Sequence, residues 1–143
     1  MEISKGWCWY ITEKAKLLER HKCGKWMYFF NDQEFAMNIC EKAITEKVCY
    51  ECKCTDIELT GAESGVICFY LNGDDIENHH RVIQFMMDNK LIQRTKTGRL
   101  YNISFKFDDQ TRACEYGDGF ESRIKLEQFI NLNRDEQNTL IQK

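Results

Sequence analysis

Asn102, Ser104 and Lys106 stand at alternate positions in the stretch 100–107. In a strand they share one face, because successive side chains point to opposite sides. An amide, a hydroxyl and an ammonium on one face suit phosphate or carboxylate groups. Lys53 belongs to a second alternating stretch, 48–55, where it shares a face with Cys49 and Glu51. If both stretches join one sheet, Lys53, Lys106 and the nearby Arg99 can neutralise an anion. Trp7 and Trp9 also alternate, and an aromatic face stacks a planar base with about 1–3 kcal/mol per stack. The bland arrangement of the same residues is a solvated sheet face, with the tryptophans in the core. Trp26, inside the apolar run 26–30, reads as core.

Other chemistry has weaker support. Cys49, Cys52 and Cys54 with His79 and His80 are zinc-ligand types. A strand, however, turns Cys49 away from Cys52 and Cys54, and there is no second Cys-x-x-Cys. His79 and His80 are expected to be exposed on a helix. Cys49 or Cys114 with a histidine could form a nucleophile–base pair. Asp108, Asp109 and Glu115 could do acid–base work. None has a nucleophile elbow, a Walker loop or a dinucleotide fingerprint around it. No catalytic residue, metal ligand or cofactor is assigned, and the balance is against an enzyme.

The elements that position these residues follow from pattern. Strands are expected at 7–11, 26–30, 48–55, 66–71 and 100–107, with a return strand at 112–116. Helices are expected at about 32–46 and 75–90, each behind an Asn-Asp or Asp-Asp cap, and again at 122–132. Cys23, Gly24 and Lys25 read as a turn, as do Asp108 and Asp109. The stretch 13–21 reads as a polar helix or loop, and 134–143 as a polar tail that can fray. The order predicts an α+β fold: a curved, mostly antiparallel sheet with two or three helices packed on one face. The other face, left open, carries the polar sets.

Bulk composition bounds the rest. The 143 residues suit one domain, 1–143, with 1–22 its least patterned part. The net charge of −3 gives no global field for an extended nucleic acid. No apolar run is long enough to cross a membrane, and the N-terminus lacks the pattern of a signal peptide. Eight cysteines without such a leader point to a reducing, cytoplasmic setting.

Four segments carry a family resemblance: Gly24-Lys25-Trp26-Met27-Tyr28-Phe29, Cys52-Lys53-Cys54-Thr55, Val66-Ile67-Cys68-Phe69-Tyr70 ahead of Asp74-Asp75, and Leu100-Tyr101 through Lys106, Asp108 and Thr111. Across 25–117 the chain resembles the family of the basophilic leukaemia expressed protein, a domain of unknown function. That family's fold is like that of the messenger-RNA cap-binding translation initiation factor. The resemblance implies a curved antiparallel sheet backed by helices, whose concave side holds a nucleotide between tryptophans with basic residues on its phosphates. By position, Lys53 and Lys106 are the implied basic pair, and Trp7 or Trp9 the stacking residue.

The leading expectation is a non-catalytic binder of a nucleotide-like or other phosphorylated small ligand. Its site comprises Lys53, Lys106, Arg99, Asn102, Ser104, Trp7 and Trp9. Two alternatives remain. One is a protein-interaction module, such as a small phage or bacterial protein that blocks a macromolecule. The other is a small hydrolase acting on a nucleotide.

Overall fold

A computed structural model of the chain describes residues 1–109 and 123–133. Seven strands form one sheet in the order β1-β2-β4-β5-β3-β6-β7, and every pairing is antiparallel. The strands are β1 (Glu2–Ser4), β2 (Trp7–Ile11), β3 (Cys23–Phe30), β4 (Glu51–Thr55), β5 (Gly65–Asn72), β6 (Ser104–Phe107) and β7 (Ile124–Lys125). The helices are α1 (Gln33–Thr45), α2 (Ile57–Thr60) and α3 (Ile76–Asp88). The fold is α+β, with an unclosed antiparallel sheet. Among the described residues no helix is long and apolar enough to cross a membrane.

Local chemistry starts each helix. The Asp32 carboxylate accepts from the Phe35 N–H at 3.2 Å, and the Asp75 carboxylate from the Asn78 N–H at 3.1 Å. Such caps satisfy a first-turn donor that has no partner inside the helix. α1 buries Ala36, Ile39, Cys40 and Ala43. α3 buries Val82, Ile83, Phe85 and Met86 among others. Both pack on the sheet face that carries Trp26, Cys52, Ile67, Phe69 and Phe105. Cys52 and Cys40 meet sulfur to sulfur at 3.2 Å, and the Phe69 and Phe85 rings at 5.9 Å.

Several elements differ from the sequence expectation. β1 was not anticipated. It returns into β2 through Lys5 and Gly6, whose φ angles are both positive at 53° and 84°. That is the geometry of a two-residue hairpin turn, and the lysine disguises it. The expected turn at 23–25 is instead the start of β3, paired along its full length with β5. Residues 48–50 precede β4, because Val48 N–H still bonds the Ala43 carbonyl as the chain leaves α1. The expected strand 100–107 is reduced to Ser104–Phe107. Upstream of it, Leu100 and Tyr101 donate to the Leu132 and Gln93 carbonyls. The expected helix at 122–132 is β7 followed by a 3-10 turn, Leu126–Gln128. Its backbone bonds outward, with Leu126 N–H donating to the Ile103 carbonyl at 2.9 Å. The stretch 13–21 holds a 3-10 turn, Glu13–Leu17. The expected return strand at 112–116 and the tail 134–143 lie outside the described residues.

At position 24 β3 has no room for a side chain. A Cβ there would meet Phe105 Cε2 at 2.5 Å and the Lys106 carbonyl oxygen at 2.7 Å. Gly24→Ala is therefore expected to destabilise the fold by about 2 kcal/mol through overpacking against β6. Urea unfolding followed by circular dichroism measures this, and an unshifted midpoint would show that Phe105 moves aside freely.

Candidate ligand-binding site

The register decides what shares the face opposite the helices. Lys106 stands across from Lys25, Lys25 across from Tyr70, and Tyr70 across from Glu51. Lys53 lies two residues beyond Glu51, on the same face. Trp9 is directly across from Lys53, and Trp7 is two residues before it. Lys53 and Lys106 thus emerge on one face, three strands apart, or about 14 Å between backbones.

Lys53 is the centre of one end of this face. Its ammonium lies 3.8 Å from the Trp7 ring centroid, 4.8 Å from Trp9 and 5.7 Å from Tyr70. Cation–π contact of this kind is worth about 0.5–2 kcal/mol, more as water is excluded. No carboxylate forms a salt bridge with Lys53 among the described residues. Its pKa is lowered from the ordinary lysine value, chiefly because partial burial disfavours the charged form. Glu51, half-buried beside it, is shifted up for the same reason. An open groove of about 610 Å³ runs along this end, lined by Trp7, Trp9, Glu51, Lys5 and the β1 side chains.

The middle of the face is closed, which corrects the expectation of an open surface. Lys25, Cys68 and Tyr70 are 7%, 3% and 7% exposed. The Lys25 ammonium donates to the Asp108 carboxylate at 2.7 Å and lies 5.9 Å from the Tyr70 ring. This pairing neutralises the charge and lets the lysine stem lie flat on the sheet. Burial pushes the Cys68 thiol up to about 11, so it stays protonated at neutral pH. At the far end, burial first and the Lys25 charge second hold Lys106 below the ordinary lysine range.

The expected site residues do not form one cluster. Trp7, Trp9 and Lys53 come together, but the tryptophan faces hold the lysine and not each other's guest. Ser104 shares a strand and a face with Lys106. Asn102 is outside the strand, and its side-chain oxygen accepts from the Glu127 N–H at 2.9 Å, which pins the 3-10 turn. Arg99 is exposed in the hairpin closed by the Arg94–Leu100 bridge, off the sheet. Three members were missed: Lys25, Tyr70 and Asp108. Lys25 and Tyr70 continue alternations visible in the sequence (23-25-27 and 66-68-70), whereas Asp108 lies just past the end of β6 and only the fold brings it to Lys25.

The cysteine–histidine set is also dispersed. Cys52 and Cys54 face the helices, and Cys54 Sγ accepts from the Gln33 amide at 3.7 Å. His79, expected on the surface, is 0% exposed because its ring is packed against Trp26, Phe105 and Phe129. His80 is half-buried beside Phe129. Asp109, expected in a turn, lies 3.2 Å from His21.

Fold and face together define an α+β sheet domain with an aromatic-lined, incompletely neutralised cation on one side. The chain matches no protein-family model, and no curated protein matches it.

Proposed function

We propose that the protein is a non-catalytic binder of a nucleotide-like or other phosphorylated small ligand, taken up at the Trp7–Trp9–Lys53 end of the sheet face. One observation carries this reading: a half-buried lysine, held on two tryptophan rings, with no carboxylate paired to it among the described residues. A buried charge without a counter-ion is costly, and an anionic ligand supplies one. As the ammonium swings onto a phosphate, it uncovers the ring faces for a planar group. The expected likeness to a cap-binding fold agrees with this mode but rests on short motifs, and fold alone does not carry function.

The test is calorimetry with a panel of nucleoside mono-, di- and triphosphates. Saturable binding is expected. Lys53→Met keeps an apolar stem over the rings and removes the charge, so it should weaken binding about 10–100-fold, the loss of one charge-assisted hydrogen bond. The absence of heat with every nucleotide at millimolar concentration would remove the proposal.

A further inference from the structure

Five cysteines are buried where α1 packs on β2 and β4, and all five are thiols. Cys40 is on α1, Cys8 on β2, Cys52 and Cys54 on β4, and Cys49 just ahead of β4. The sulfurs of Cys52 and Cys40 lie 3.2 Å apart. Further thiol contacts join Cys49 to Cys52, Cys54 to Cys40 and Cys8 to Cys54.

These sulfurs are strung out rather than gathered round a point. Among the described residues no three ligand-type side chains are placed to hold a metal ion. Sulfurs on a zinc ion stand about 3.8 Å apart, given bonds of about 2.3 Å and tetrahedral angles. A disulfide holds its sulfurs at about 2.05 Å. The Cys40–Cys52 pair is already inside the first spacing, and about 1 Å of closure takes it to the second.

We propose that Cys40 and Cys52 are a redox-active pair, which closes into a disulfide by exchange with a small-molecule disulfide that enters at Cys49. Cys49 lines an open groove of about 380 Å³ with Ile11, Lys14, Ile44 and Lys47. Its position ahead of β4 frees it from the alternation that would turn it away from Cys52. Lys14 and Lys47 outnumber Glu13 along the groove, which favours an anionic disulfide such as glutathione disulfide. The Cys49 thiolate attacks that disulfide, and one glutathione leaves. Cys52 displaces the other glutathione from Cys49. Cys40 then attacks Cys52 and returns Cys49 to a thiol. Each step breaks one S–S bond and forms one, and the proton of the attacking thiol ends on the departing sulfur. In sum, two protein thiols and one small disulfide give one protein disulfide and two small thiols. Cys40 suits the last attack, because hydrogen bonds from Cys52 and Cys54 hold its pKa below the ordinary thiol value and favour the thiolate. The pair faces the side of the sheet opposite Lys53 and needs no ligand there.

The test incubates the full chain with mixtures of reduced glutathione and glutathione disulfide, blocks the remaining thiols with N-ethylmaleimide and maps the bonds by mass spectrometry. Cleavage at Lys42, Lys47, Glu51 and Lys53 puts Cys40, Cys49 and Cys52 on separate peptides. A Cys40–Cys52 cross-link is expected as the main product, reversed by excess reduced glutathione. Cys40→Ala and Cys52→Ala should each lose it. Cys49→Ala should form the same bond about tenfold more slowly or worse, because the entry thiol is gone. The map of the wild-type chain decides even where a variant does not fold. No protein disulfide in excess glutathione disulfide, a main product between another pair, or a wild-type rate in Cys49→Ala would each overturn the proposal. So would a zinc or copper ion kept in stoichiometric amount by the purified chain, because the thiols would then be ligands.

Discussion

Replacing Trp26 by alanine is expected to remove about 4 kcal/mol of stability, the range found for emptying a large aromatic site in a packed core. The indole is 0% exposed and meets His79, Phe105 and Phe129 at ring-centroid distances of 5.9, 5.6 and 6.1 Å. It thereby joins β3, α3, β6 and the 3-10 turn near the C-terminal end of the described chain. Its Nε1–H also donates to His79 Nδ1 at 3.0 Å. Alanine leaves a cavity and an unmatched acceptor in the same place. Domains of this size are stable by only about 5–15 kcal/mol, so the loss is a large share of the total. Urea unfolding measures it, and a cost below about 1 kcal/mol would contradict the packing described. Trp26→Phe provides a milder readout if the alanine variant does not fold. It keeps most of the ring and loses the hydrogen bond, at about 2 kcal/mol.

His79→Leu is expected to cost about 3 kcal/mol at pH 8, because it orphans two buried groups at about 1–3 kcal/mol each. The tautomer follows from the partners. An indole N–H can only donate, so His79 Nδ1 accepts and the proton is on Nε2, which donates to the Gly73 carbonyl at 2.8 Å. Both nitrogens are used by the neutral ring. Burial, the largest influence, lowers its pKa, while the Gly73 carbonyl and Asp75 oppose that shift. The folded pKa is thus below the unfolded one. As pH falls through the unfolded value of about 6.5, the unfolded chain takes up a proton that the native state refuses. The contribution is present above that pH and is lost below it, at up to about 1.4 kcal/mol per pH unit. The wild type should lose stability between pH 7 and pH 5 more steeply than the leucine variant. Parallel unfolding curves for the two proteins across that range would show that His79 accepts a proton in the folded state.

Neither residue reaches the proposed ligand. They work from the helix side of the sheet, where they hold β3 flat so that Lys25 on its other face meets Asp108 and Tyr70. Lys53 stands between β2 and β5 on β4, across from Trp9 and Cys68, with Cys8, Tyr10, Cys52 and Cys54 buried behind it. Core substitutions at Trp26 and the charge substitution at Lys53 should therefore act on different observables, stability and binding.

Much of the architecture was legible because period and punctuation are local. The run 66–71 and the caps at Asp32 and Asp75 depend on residues within a few positions of each other, and their elements form within a residue or two of expectation. The placement of Lys53 opposite the core-facing Cys52 and Cys54 is legible for the same reason. What misled was any segment whose backbone bonds elsewhere. Residues 124–132 have enough apolar positions for a helix. Yet Ile124 pairs across from Phe105, Leu126 and Ile130 are buried, and the Phe129 ring packs on Trp26 and His79. Long-range packing overrides a marginal local preference there.

Alternation along β2, β4 and β5, the caps of α1 and α3 and the absence of any catalytic motif were determined by the sequence alone, since each is settled between near neighbours. Only the tertiary structure decided that Lys25 would be matched by Asp108 and that two tryptophans would close on Lys53. Each of these depends on strand order and register, which join residues up to 83 positions apart, and no local pattern encodes such pairings.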